Sequence, residues 1–253
     1  WCLGADMWEY QMAPLAEAGF RCVAYDVRGC GRSDQPAAGY DFDTLADDLA
    51  AVVEGLGLRG ATLVGHSAGS AQILRYLSRH GDGRTARAAL VSTTAPYLLK
   101  TGDNPEGVDG AVLDDIVSGL RDDRPRWAAS LAKPWFGAGL PGVSVSPEML
   151  DWAVGMFLQA SPRAAIETIR AVYTTDLRAD AREMDVPTLI VHGAADVMAP
   201  FEASARRLAE EIPHAKLVVY ENASHGPFIS HKELLNDDLL SFLGSPAEAR
   251  ATR

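Results

Sequence analysis

The chain has 253 residues, 47% of them hydrophobic and 23% charged, enough to bury a core and too balanced for wholesale disorder or a fibrous repeat. Its 23 basic against 34 acidic side chains leave a net charge of -11, which repels phosphate backbones and anionic membrane surfaces and so argues against nucleic acid or membrane as a partner. Cys2, Cys22 and Cys30 lack CxxC spacing and a clustered histidine, so neither a disulfide framework nor a zinc site is expected, and a reducing cytoplasm is the expected setting.

In chain order, Arg21 to Asp26 (RCVAYD) reads as a buried strand. Phe42 to Leu56 has helical period, with Leu45, Leu49, Val52, Val53 and Leu56 on one face and acids on the other. Ala61 to Gly65 and Ala88 to Ser92 are two further strands, separated by a helical run from Ala71 to Leu77. From about Pro96 to Asp185 the pattern turns to Pro, Gly and Trp-rich turns with short helices such as Pro147 to Leu158 and Pro162 to Val172. The alternation then resumes with a strand Thr188 to His192, a helix from about Phe201 to Ile212, a strand Lys216 to Tyr220 and a helix from about His231 to Leu243. Strand–helix alternation implies an α/β fold with a mostly parallel sheet flanked by helices. Residues 1–95 and 186–244 are expected to form the core, 96–185 a helical lid inserted before the last two strands, and 245–253 a frayed tail. A lid at that place lies where ligands bind in open α/β sheets.

Gly65-His66-Ser67-Ala68-Gly69 matches GxSxG directly after a strand and before a helix. That context makes it a nucleophile elbow, a turn so tight that its neighbours must be small. A serine hydroxyl at neutral pH needs a base, normally a histidine oriented by a carboxylate, and in the α/β-hydrolase fold the order is Ser, acid, His. Of six histidines, His225 lies in a Gly- and Pro-broken loop beyond the last strand, where its ring can point back over the sheet. His231 is the runner-up, His66 sits inside the elbow, and His192 ends a strand as a buried, hydrogen-bonded ring. Asp196 follows the TLIVH strand, whereas the loop after the preceding strand, Thr93-Thr94-Ala95-Pro96, holds no carboxylate. A solvated turn aspartate is the plain alternative for Asp196; its order with Ser67 and His225 speaks against that. The backbone N–H of Ala68 is expected to meet the oxyanion of acyl attack.

With these residues in hand, the chain resembles the cofactor-free haloperoxidase and arylesterase (perhydrolase) branch of the α/β-hydrolase superfamily over almost its whole length. The likeness is carried by Trp1 to Met12, by Ala24 to Pro36, by the elbow, by Asp185 to Gly193 and by Leu234 to Leu240. It implies hydrolysis of a small, apolar or aromatic carboxylic ester through an acyl-serine, with perhydrolysis or haloperoxidation as a side activity and no cofactor or metal. It also implies that the backbone N–H of Trp1 is the second oxyanion donor, and that strands of the family's sheet, one of them between RCVAYD and ATLVG, precede Trp1 in a longer protein. His66 and Ala68 stand where peroxidase-active members are expected to carry Phe and a larger residue, which favours hydrolysis over the peroxidase reaction. Trp135, Phe136, Trp152, Met156 and Phe157 are candidates for an apolar acyl pocket, although such residues are as often plain core. Rival readings are a carbon–carbon bond hydrolase, enol-lactonase or lyase with the same triad, or a non-catalytic ligand-binding module. The partner expected is a small ester, with self-association into a homo-oligomer left open.

Overall fold

The computed structural model describes residues 1–81 and 83–244. After a short 3-10 turn, α1 spans Glu9–Glu17 and α2 Phe42–Gly55; then come β1 (Ala61–His66), α3 (Ala68–His80) and β2 (Thr85–Val91). Five helices separate β2 from β3 (Thr188–Gly193): α4 (Gly110–Asp122), α5 (Arg124–Phe136), α6 (Pro147–Gln159), α7 (Pro162–Thr174) and α8 (Arg178–Arg182). The chain continues through α9 (Ala205–Glu211), β4 (Lys216–Tyr220), α10 (Pro227–Ser230) and α11 (Lys232–Gly244).

The four strands form one parallel sheet in the order β1-β2-β3-β4. Every residue of β3 is buried, as expected of a central strand covered on both faces. Strand alternation divides the core in two. Ala88, Leu90 and Ile190 face the cluster that holds Leu45, Leu49 and Leu74 of α2 and α3. Ala89, Val91, Leu189 and Val191 face the one that holds Leu235 and Leu239 of α11. Asp41, Asp109, Asp123, Ser146 and Ser161 each accept a backbone N–H at the start of a helix, a cap worth about 1 kcal/mol.

Three expectations are corrected. Arg21 to Asp26 carries no strand, because apolar, β-branched composition does not make a ladder without a neighbour to pair with. The outer edge of β1 has no ladder partner among the described residues, and Val23 is 42% exposed. The helix expected from Phe201 to Ile212 is a 3-10 turn, Phe201–Ala203, followed by α9. The break falls at Ser204, whose hydroxyl donates to the carbonyls of Ala199 and Pro200, a local bond that competes with helix. The last helix, expected from about His231 to Leu243, is present as α11, preceded by the short α10 that was not expected. The turn-rich reading of the chain before Pro147 missed α4 and α5. Pro125 opens α5 within its first turn, where proline is compatible with helix, and Pro134 lies in its last. The expected tail 245–253 lies outside the described residues. None of the described helices is long and apolar enough to cross a membrane.

Candidate active site

Ser67 stands between β1 and α3 with φ 55° and ψ -119°, a conformation that costs a non-glycine residue about 1–3 kcal/mol and persists only when its surroundings enforce it. Here the Ser67 N–H donates to the Val91 carbonyl at 2.9 Å, and the Ser70 hydroxyl donates to Gly65 at 3.0 Å. A Cβ on Gly65 would lie 2.6 Å from the carbonyl of Gly69, so the glycine is what lets strand and helix meet this closely. Ala68 is the first residue of α3, where a helix leaves its N–H groups without an intrahelical acceptor.

His225 reaches this hydroxyl from beyond β4. Its Nε2 lies 2.9 Å from Ser67 Oγ, and its Nδ1 lies 2.7 Å from Asp196 Oδ2. A carboxylate only accepts; Nδ1 therefore carries the hydrogen, and the lone pair on Nε2 faces the serine. Asp196 Oδ1 accepts the N–H groups of Met198 and Ala199, both at 2.9 Å. All three side chains are buried. Burial alone would push the Asp196 carboxyl up, but the His225 charge and hydrogen bond, helped by His192 and the Ala199 N–H, hold it below the usual carboxylate range. The loop that carries His225 is itself anchored. Ser224 Oγ donates to the Pro134 carbonyl at 2.6 Å, the Gly226 N–H donates to Trp135 at 2.9 Å, and the Ala195 N–H donates to Ala223 at 3.0 Å. The first two acceptors are carbonyls in the last turn of α5, which the helix itself cannot satisfy.

The other histidines are sorted by the same geometry. His192, fully buried, has its Nε2 2.8 Å from the Ala199 carbonyl and 3.4 Å from Asp196 Oδ2, behind the acid rather than in the line of proton transfer. Its pKa is lowered by burial. His231 stacks on Tyr220, away from Ser67. His66, for which sequence reasoning found no partner, has its Nε2 2.7 Å from the His225 carbonyl.

Trp1 packs its ring 5.2 Å from Phe157, 5.7 Å from Trp127 and 6.5 Å from Trp135, and its Nε1–H donates to Ala165 at 2.8 Å. The stretch after it is tied down by Asp26, whose Oδ1 accepts the Ala5 N–H and whose Oδ2 accepts the N–H of Arg32. Beside it lies an apolar cleft open to solvent. Of the five pocket candidates, Trp135, Phe136 and Phe157 line this cleft, with Leu3, Trp127 and Val154. Trp135 connects it to the triad, its ring meeting that of His225 edge-on at 4.6 Å. Trp152 and Met156 are not in its wall: Trp152 meets Tyr10 edge-on at 6.5 Å, and Met156 is buried in the second core cluster. They lie five and one residues before Phe157 along α6, on the neighbouring face of the helix. Trp127 and Leu131 were missed, although with Trp135 they form an i, i+4, i+8 stripe legible once α5 is recognised.

A serine on a strand–turn–helix elbow above a parallel sheet, with a histidine and a carboxylate in hydrogen-bonded line, defines an α/β-hydrolase. Residues 1–232 match the family described as alpha/beta hydrolase fold. The chain belongs to that family, in its branch of non-heme haloperoxidases and esterases, and is a hydrolase. It is 40% identical over 248 residues to a non-heme chloroperoxidase of Streptomyces lividans, covering 97% of this chain and 89% of that one. It is 39% identical over 248 residues to a bifunctional esterase/perhydrolase of Acinetobacter calcoaceticus, with the same coverage. Among solved structures, a bromoperoxidase from Bacillus anthracis superposes with a TM-score of 0.93 at 37% identity, covering 97% of this chain and 89% of that one.

Proposed function

We propose that this hydrolase cleaves small, apolar or aromatic carboxylic esters through an acyl-serine intermediate. The observation that carries the reading is the unbroken line from Ser67 Oγ through the His225 ring to Asp196, with contacts of 2.9 and 2.7 Å. In the first step Ser67 Oγ attacks the ester carbonyl while His225 Nε2 takes its proton, and Asp196 stabilises the imidazolium. The N–H groups of Ala68 and Trp1 meet the oxyanion, each such donor being worth about 10²- to 10³-fold in rate. His225 then returns the proton to the departing alcohol or phenol. Water, deprotonated by the same ring, attacks the acyl-serine and releases the acid. Hydrogen peroxide in place of that water would release a peracid, and the esterase/perhydrolase relative favours this as a side activity. No step calls on a metal or cofactor.

Residues 96–185 serve as the lid over residues 1–95 and 186–244, and the cleft beneath α5 and α6 takes the acyl or aryl group. We assign the enzyme to the cytoplasm because its three cysteines are free thiols, which suits a reducing compartment. The test is hydrolysis of p-nitrophenyl esters of graded acyl length, with and without peroxide and bromide. Ser67→Ala should lower kcat on the order of 10⁶-fold. Near-normal hydrolysis in that variant would refute the assignment.

A further inference from the structure

His66 is the one elbow side chain that the triad leaves unused, and it is the residue next to the nucleophile. Its ring is 5% exposed and lies 4.8 Å from the ring of His225, 4.9 Å from Phe228 and 6.4 Å from Trp135. A carbonyl oxygen can only accept, so the 2.7 Å contact to the His225 carbonyl fixes the hydrogen of His66 on Nε2. The amide that follows, Gly226 N–H, donates to Trp135 at 2.9 Å. The single peptide unit after His225 is thereby gripped at both ends, at its oxygen by the elbow and at its nitrogen by the last turn of α5.

We propose that His66 is a positioning residue: it ties the backbone of the base to the strand that carries the nucleophile, so that the Nε2–Oγ distance is set by one rigid connection. The inference rests on the reading of Ser67 and His225 as nucleophile and base. Packing alone does not call for a histidine here, because Phe228 and Trp135 form an aromatic setting that a phenylalanine would fill. What phenylalanine lacks is the N–H. A lysine or arginine would supply a donor but would set a second cation beside the imidazolium formed in each turnover. Histidine avoids that, since burial first, and then the facing charge of His225, hold it neutral.

The test compares His66→Phe with His66→Gln, whose amide can donate to the same carbonyl, by kcat and KM on p-nitrophenyl acetate alongside thermal melting. In His66→Phe, kcat should fall on the order of 10- to 100-fold with KM nearly unchanged, as expected when a reacting group is held slightly out of place. His66→Gln should recover most of that loss. The proposal is overturned if folded His66→Phe keeps kcat within about twofold, if the loss appears in KM alone, or if His66→Gln falls as far as His66→Phe. Should His66→Phe not fold, His66→Gln is compared with His66→Met, donor against non-donor of like length, and equal kcat in that pair overturns it. Ser67→Ala is assayed in parallel. Turnover there would remove the underlying serine mechanism, a result distinct from an inert Ser67→Ala with indifferent His66 variants.

Discussion

Lowering the pH from 7 to 5 should weaken the fold through His66 and His192, His66 alone contributing up to about 2 kcal/mol. Burial lowers the pKa of both rings, of His66 well below the ordinary value. His225 faces both of them, and Asp196 pulls His192 partly back. In the unfolded chain each titrates near 6.5, about the ordinary histidine value. Below that pH the unfolded state binds protons that the folded state refuses, so stability falls as pH falls. A refused proton is worth about 1.4 kcal/mol per pH unit, and over about 1.5 units one gives the figure for His66, to which His192 adds in the same direction. Against a typical total of about 5–15 kcal/mol this is a large fraction. Asp196, held below the usual range, adds stability that is fully present above its unfolded pKa of about 3.9 and is lost only in more acid solution, so it is constant across this window. His231, also lowered by burial, acts in the same direction as the two rings; Asp180, raised by burial, acts against them at the acid end. Urea unfolding followed by tryptophan fluorescence at pH 7, 6 and 5 measures the slope, and His66→Gln should remove the larger part of it. A stability independent of pH between 7 and 5, or an unaltered slope in His66→Gln, would refute the neutral buried histidines.

Asp196→Asn should lower kcat on the order of 10⁴-fold with little change in KM, because an amide no longer fixes the Nδ1–H tautomer of His225; a loss under tenfold would separate Asp196 from the chemistry. Trp135→Ala enlarges the cleft beside His225, so the ratio of kcat/KM for octanoyl over acetyl p-nitrophenyl esters should rise about tenfold or more. An unchanged ratio would place the acyl group elsewhere. A Cβ on Gly193 would run into the carbonyl of Ala223, in the loop that carries His225. Gly193→Ala should therefore cost about 1–3 kcal/mol of stability and lower kcat more than KM. Wild-type kcat in a folded Gly193→Ala would show that the loop yields without moving the base.

What the sequence made legible follows physical locality. β4 begins and ends where its apolar run does, and α2, α6 and α7 lie within two residues of their expected bounds, because Asp41, Ser146 and Ser161 announce helix starts and period fixes the buried face. The alignment of Ser67, His225 and Asp196 was legible because each sits just beyond the carboxyl end of a strand, in a loop whose small residues allow only a few conformations. Less local facts were not. Whether RCVAYD is a strand depends on a neighbour, not on its own residues. The true cleft wall depended on helix phase: without α5, the stripe of Trp127, Leu131 and Trp135 had no axis to lie along, and on α6 the aromatic residue Trp152 stood out by type although its direction is that of Tyr10. His66 escaped because its partner is a main-chain oxygen 159 residues away, for which no side-chain pattern exists.

The carbonyls of Pro134 and Trp135 hold the loop on either side of His225, and this limits how a substrate can arrive. Lifting α5 from the sheet breaks both bonds and takes the base from Ser67 while water fills the groove, so a wide-open form carries only an ordinary alcohol. Reactivity and that mode of opening exclude each other. A substrate that reaches Ser67 with the base in place therefore enters while α5 stays seated, by the cleft lined by Trp127, Val154 and Phe157. On the reading of Ser67 as nucleophile, the hydroxyl is armed only beneath an intact roof.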